Sequence, residues 1–258
     1  VCVSAEIIIE NNSTFQCIDT IGFANFPPYV LNNPSFSYNF GDCSPIISSI
    51  PTQNQYDIEN YADIFHIYTQ PGLYYVQLNA TNFCTTDTYY DTITIFPPPN
   101  VSFYADPKCL EDTTIFITDV FASDTTSDTL SCGITIPVPA GGEIISYQWS
   151  MQEGIDGTYV NGTTADSLNA EFIFSSCGTH VVSLTVIDEY NCDSVFENSI
   201  TIYELPEANF SVPDVCEGTS SCIYNNSIVN TTNGCYGAPI YNWEYFITND
   251  STGLIIDT

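Results

Sequence analysis

Two stretches of this chain follow one pattern, and the repetition limits the fold more than any single motif does. The first reads His66-Ile67-Tyr68, then Pro71-Gly72-Leu73-Tyr74-Tyr75-Val76-Gln77-Leu78-Asn79-Ala80, and ends at Cys84. The second reads Phe172-Ile173-Phe174, then Gly178-Thr179-His180-Val181-Val182-Ser183-Leu184-Thr185-Val186, and ends at Cys192. His66 to Gly72 and Phe172 to Gly178 span the same six positions. After each glycine, Tyr74/Val76/Leu78/Ala80 and His180/Val182/Leu184/Val186 alternate with outward-facing neighbours. That is the period-two signature of a half-buried strand.

Shared strands flank both blocks. Tyr38-Asn39-Phe40, Tyr147-Gln148-Trp149 and Tyr241-Asn242-Trp243 repeat an aromatic-polar-aromatic pattern upstream. Phe40, Trp149 and Trp243 are therefore expected at equivalent core positions. Downstream, Thr92-Ile93-Thr94-Ile95 and Ser199-Ile200-Thr201-Ile202 close each unit and run into Pro97-Pro98-Pro99 and Leu205-Pro206, short stiff junctions. The expected organisation is a closing strand of a preceding repeat in 1–10, a repeat in 11–97, a repeat with an insertion in 98–205, and the first half of a further repeat in 206–258. On this reading the chain is a segment of something longer.

Composition agrees with an all-β chain. The 18 Tyr and 16 Phe, with many Val, Ile and Thr, favour strands, and 15 Pro and 14 Gly punctuate them as turns. Against 31 acidic residues stands one cationic side chain, Lys108. No basic patch can form, which excludes binding to a phosphate backbone. The same charge repels anionic membrane surfaces, and no apolar run is long enough to span a bilayer.

The pattern Tyr38-Asn39-Phe40-Gly41-Asp42, His66-Ile67-Tyr68 and Pro71-Gly72-Leu73-Tyr74-Tyr75-Val76-Gln77-Leu78 resembles the polycystic-kidney-disease (PKD) domain. The second repeat follows it more loosely, with Ser150-Met151 and Phe172 in place of Gly-Asp and His. The resemblance implies tandem immunoglobulin-like β-sandwiches on secreted and surface proteins, as in the large adhesins of Bacteroidota. It implies a non-catalytic structural segment of a long cell-surface adhesin or extracellular filament, including those used in gliding. The alternatives are a spacer or carbohydrate-binding module of a secreted hydrolase, or a surface-layer subunit. Expected partners are neighbouring repeats or identical subunits, with surface glycans or other cells as possible contacts.

Eleven cysteines in a β-rich chain point to an oxidising, extracellular location. Cys17, Cys109 and Cys216 precede the second strand of each repeat, while Cys84 and Cys192 sit at the last hairpin. The repeat suggests Cys17–Cys84 and Cys109–Cys192, with Cys132–Cys177 and Cys222–Cys235 as local staples. Cys2 and Cys216 would pair beyond the segment and Cys43 is left over. Spacing alone leaves other connectivities open.

No catalytic constellation emerges. The two histidines, His66 and His180, fall in patterned strands, where a packed or edge histidine is the ordinary reading. A Gly-x-Ser-x-Gly elbow is absent from the sequence. Calcium is the one candidate metal, through acid-rich loops such as Asp57/Glu59/Asp63, Asp106/Glu111/Asp112 and Asp188/Glu189; simple solvation of those loops is the preferred account. N-glycan sequons include Asn79, Asn100, Asn161 and Asn209. A second set, Thr20, Thr92, Thr113, Thr125, Thr129, Ser167, Ser194 and Ser251, follows Asp and resembles the O-glycan acceptors of Bacteroidota.

Overall fold

The structure, a computed structural model, describes residues 1–10, 35–49, 64–81, 85–229, 235–237, 240, 242, 244, 247–248 and 255–257. All regular structure among the described residues is strand. In chain order the principal strands are β1 (Glu6–Ile9), β2 (Ser35–Asn39), β3 (Ile47–Ser49), β4 (Ile64–Ile67), β5 (Gly72–Thr81) and β6 (Thr86–Ile95). There follow β7 (Asn100–Tyr104), β8 (Lys108–Cys109), β9 (Thr114–Ile115), β10 (Ile117–Phe121), β11 (Ser127–Thr129) and β12 (Thr135–Pro137). The second repeat adds β13 (Ile144–Trp149), β14 (Gly157–Tyr159), β15 (Glu171–Phe174), β16 (Gly178–Asp188) and β17 (Asp193–Glu204). The fold is all-β, with tandem immunoglobulin-like sandwiches stapled by disulfides.

The described residues divide into two compact units that interleave along the chain. One comprises Val1–Asn100, Val120–Ser146 and Val186–Ser194; the other comprises Val101–Asp119, Tyr147–Thr185 and Val195–Thr258. In the first unit a sheet in the order β3-β2-β5-β6 faces the antiparallel pair β1-β4. Alternation sends Phe36, Tyr38, Phe40, Tyr74 and Ile95 inward, where each is buried. Val76, Leu78, Ala80 and Ile93 continue the same inner face, part-buried against that cluster.

Residues 1–10, expected to close a preceding repeat, instead complete this sandwich. β1 pairs with β4 from Glu6↔Ile67 to Ile9↔Ile64, and Val3, Ile7 and Ile9 pack on the core. The insertion is also placed differently from a local elaboration of the second repeat. Its hairpin β11-β12 delivers Leu130 and Ile136 into the first core. Gly72 is required there: a Cβ at that position would lie 2.3 Å from Ile136 Cδ1. The apolar side chains of the hairpin are buried by the sandwich they dock on, which the repeat pattern could not announce.

In the second unit β14-β15-β9 forms one sheet, and β13-β16-β17 forms the other with β8 and the short strand Tyr236–Gly237. Trp149 lies between them, 1% exposed, with Phe103 and Phe116 rings each 4.9 Å from its own. Its indole N–H donates to Ser167 O at 2.8 Å, so the polar end of the ring is satisfied. Val182 and Leu184 of β16 and Ile200 and Ile202 of β17 are buried, as the two-residue period requires. Phe40 and Trp149 thus both sit in sandwich cores; Trp243 lies outside the described residues. Thr114 is fully buried, and its hydroxyl has no partner among the described residues.

Two substitutions separate these contributions. Trp149→Ala should lower stability by about 3–5 kcal/mol, as large aromatic deletions do. Thr114→Val should cost nothing and gain up to ~1 kcal/mol, because it removes an unpaired buried hydroxyl. Urea unfolding followed by circular dichroism measures both.

Candidate functional site

A cluster of polar and titratable groups in the first unit grows out of the turn after β2. Gly41 has φ +76°, and a Cβ there would lie 2.6 Å from the Tyr75 carbonyl oxygen, so only glycine lets the chain pass. Asn39 Oδ1 accepts from the Gly41 N–H at 3.0 Å, and Asp42 Oδ1 accepts from the Ser44 N–H at 3.0 Å and its hydroxyl at 2.6 Å. The other Asp42 oxygen lies 2.8 Å from His66 Nε2 on β4. The His66 ring is stacked on Phe40 with centroids 3.8 Å apart and meets Tyr68 edge-on. Tyr68 donates its hydroxyl to Phe40 O at 2.9 Å.

The electrostatics follow from this packing. Burial pushes the Asp42 carboxyl up, but hydrogen bonds from the Ser44 side chain and backbone, then from His66, outweigh it. The group ends below its usual value of 3.8. Tyr68 is pushed up, chiefly by burial and then by the Asp42 charge. Tyr74 reaches about 12 by burial and by the charges of Asp42 and Asp128.

Serine, aspartate and histidine meet here in an order that does not activate a nucleophile. The Ser44 hydroxyl donates to the carboxylate rather than to the imidazole, so His66 cannot take its proton directly. The arrangement ties a turn in one sheet to a strand in the other. The sequence places His66 in a patterned strand and Asp42 in the same motif, and only the fold brings the two side chains together.

His180 lies in the second unit, its Nε2 2.9 Å from Ser176 O and its ring tilted on Phe174. It borders an open cleft of about 250 Å³ with Ser150, Asp156 and Thr179. Asp156 is committed to the Gln152 N–H at 2.7 Å, and the Ser150 hydroxyl to the Ser183 N–H at 2.9 Å.

The expected calcium loop Asp57, Glu59, Asp63 lies outside the described residues. Asp188 is no solvated loop acid. It is fully buried, with one oxygen accepting from the Tyr190 and Cys192 N–H groups and the other from Gly142. It braces the turn between β16 and β17. The group of ligand-type side chains brought together among the described residues, Cys177, Glu204 and Cys235, includes both halves of a disulfide, so its sulfurs are not thiolates.

The disulfides correct the expected pairing. Cys192 joins Cys2, not Cys109, because Cys2 bridges to Phe96, whose ring stacks at 3.8 Å on Tyr190 in the Asp188 turn. Cys132 joins Cys43, not Cys177, because the docked hairpin carries it to the turn after β2. Cys177 joins Cys235, which displaces the expected Cys222–Cys235 bridge. Their Cα atoms lie 5.3, 6.0 and 5.2 Å apart in that order, within disulfide reach. Among the described residues Cys109, Cys216 and Cys222 are unpaired; Cys17 and Cys84 lie outside them.

Glycan candidates sort by access. Thr92, Thr125 and Thr129 are exposed, as are Asn100, Asn161 and Asn209, while Thr113 is half-buried. The Ser194 hydroxyl is spent on Pro99 O at 2.7 Å, and Ser167 Oγ accepts from the Thr164 N–H. The Asn79 amide is engaged on both sides, by Ser37, Gln77 and Thr88. Thr20 and Ser251 lie outside the described residues. Glycan mass is therefore expected on Thr125 or Thr129 rather than Ser194, which peptide mapping of native material checks.

Acid titration tests the Asp42 lock. Its native pKa is lowered, so its stabilisation is full above 3.8 and lost as pH falls through the native value. The wild type should lose more stability between pH 5 and pH 2 than Asp42→Asn does, measured by thermal melts across that range. Parallel losses would remove the lock.

No family model and no curated protein matches the chain. Among solved structures, fibronectin(III)-like modules of Clostridium thermocellum CbhA align at 15% identity and TM-score 0.30, covering 67% of this chain and 80% of theirs. Titin domains I67–I69 align at 12% identity and TM-score 0.29, covering 78% and 79%. Three N-terminal domains of the bacteriophage RB49 Highly Immunogenic Outer Capsid protein (Hoc) align at 9% identity and TM-score 0.29, covering 90% and 67%. At TM-scores this low the likenesses carry no argument of their own, and the fold rests on the strand pairing described above.

Proposed function

We propose that this chain is a non-catalytic, tension-bearing repeat segment of a long extracellular adhesin or filament. The observation that carries the reading is the overlap of two disulfides. Cys2–Cys192 closes 190 residues, and Cys177–Cys235 begins inside that loop and ends beyond it. The shortest covalent route along the segment runs from Val1 to Cys2, across to Cys192, back to Cys177, across to Cys235 and on to Thr258. That is roughly 40 residues, or about 140 Å at ~3.5 Å per residue, against about 900 Å for the whole chain. Tension applied at the ends bypasses most of both sandwiches. Strand unpairing then lengthens the molecule very little, as suits a stalk that must hold its length.

Three supports stand beside it. Disulfides persist in oxidising compartments outside the cytosol. A charge of −30 keeps parallel shafts from adhering to one another. The Gly41-Asp42 turn fastened to His66 gives the residues of the PKD resemblance a structural purpose, which favours a PKD-like identity for the first sandwich.

Single-molecule stretching tests the load path. The oxidised segment should stop near 140 Å, and reduction should release it toward about 900 Å. Cys2→Ser should give an intermediate limit of roughly 400 Å, since force then takes the Cys43–Cys132 and Cys177–Cys235 shortcuts. An oxidised wild type that extends as far as Cys2→Ser would defeat the proposal.

A further inference from the structure

The outer face of the β3-β2-β5-β6 sheet has no charged side chain, in a chain that carries 31 acids. The register decides which residues share it. Ser37 pairs with Asn79, which pairs with Thr88; Gln77 pairs with Tyr90, and Tyr75 pairs with Thr92. Alternation puts these residues opposite the buried Phe36, Tyr38 and Tyr74. The other positions of this face on β2, β5 and β6 are Ser, Asn, Thr and one Leu. Asp87 and Asp91 of β6 belong to the opposite face, with Ala80 and Val76 as their cross-strand partners.

Two features make the face a surface for contact. Tyr75 and Tyr90 are 64% and 61% exposed and are diagonal neighbours on adjacent strands. Beside them a hydrogen-bonded array crosses from β6 through β5 to β2: Gln77 donates to Asn79 Oδ1 at 2.9 Å, Thr88 donates to the same oxygen at 2.9 Å, and Asn79 donates to Ser37 Oγ at 3.2 Å. The amides and hydroxyls are thus oriented before any ligand arrives, which lowers the entropic cost of binding. Tyrosine offers a large rigid ring with little entropy to lose.

We propose that this face binds an uncharged polysaccharide. Sugar rings carry flat C–H faces that pack on aromatic rings, and hydroxyls that exchange hydrogen bonds with amides and threonines. A neutral polymer gains nothing from charge and is not repelled by a chain of net charge −30, whereas a second copy of the chain is repelled. Desolvating this face exposes no buried charge to penalty. The inference goes beyond the stalk role: the load path could stand with the face idle, and the face could bind on a chain that bears no load.

The test is retention of the full chain on particles of neutral β-glucan, mannan and unsubstituted chitin. Wild type should be retained on at least one, with little change between low salt and 1 M NaCl and with chelator present. Tyr75→Ala/Tyr90→Ala should lose at least tenfold in retention, and Thr88→Asp should lose a similar amount by adding charge to the face. Tyr89→Ala removes an equally exposed ring from the opposite face and should bind as wild type does. Thermal melts confirm that the variants fold. Absence of retention on all three particles overturns the proposal, as does equal retention of wild type and the double variant, or retention abolished by chelator. A wild type that dimerises through Tyr75 and Tyr90 in sedimentation also overturns it, in favour of self-association.

Discussion

A chain with 31 acidic side chains and a single lysine cannot hold its strands together through a network of ion pairs. The described residues contain one side-chain ion pair, His66 with Asp42, and it forms only when the histidine is protonated. Cohesion must come from apolar stripes, backbone ladders and covalent staples. Each stripe is narrow, because only alternate residues of a strand face inward. Both cores are therefore dense in aromatic rings, with Phe36, Phe40, Tyr68 and Tyr74 in one and Phe103, Phe116, Trp149 and Phe172 in the other. Large rings bury the most apolar area per inward position.

The same shortage explains why the insertion between the two repeats is recruited by the first core. Leu130 and Ile136 add apolar area where β1 and β4 alone make a thin second layer. Cys43–Cys132 then fixes that docking, and Cys2–Cys192 fixes the first strand region to the last hairpin. In the chain-entropy account, loops of this length contribute on the order of 4–5 kcal/mol each. The staples do for this acidic chain what salt-bridge networks cannot.

The strands themselves were legible in the sequence because a period of two is a local property. Tyr74, Val182, Leu184 and Val186 are buried where alternation put them, and Phe40 and Trp149 occupy sandwich cores. The role of Gly41 was legible only as part of a resemblance; its physical reason, the approach of the Tyr75 carbonyl, needs the fold. Contacts across long separations leave no such local trace. Cys2 and Cys192 are 190 residues apart, and nothing near either one encodes the other. The expected Cys109–Cys192 bridge assumes that each repeat closes on itself, whereas the two units interleave along the chain and Cys192 joins Cys2. Asp188 was misread for a related reason: an acid in a loop is ordinarily solvated, and only the three N–H groups gathered around it explain its burial.

The docked insertion, the placement of residues 1–10 and the load path all depend on which cysteines are joined. Proteolysis of the unreduced protein with free thiols blocked, followed by mass spectrometry of the linked peptides, reads this directly. The expected linked peptides contain Cys2 with Cys192, Cys43 with Cys132, and Cys177 with Cys235, with blocked thiols at Cys109, Cys216 and Cys222. A peptide joining Cys109 to Cys192, or Cys132 to Cys177, would contradict it and return the chain to repeats that each close on themselves.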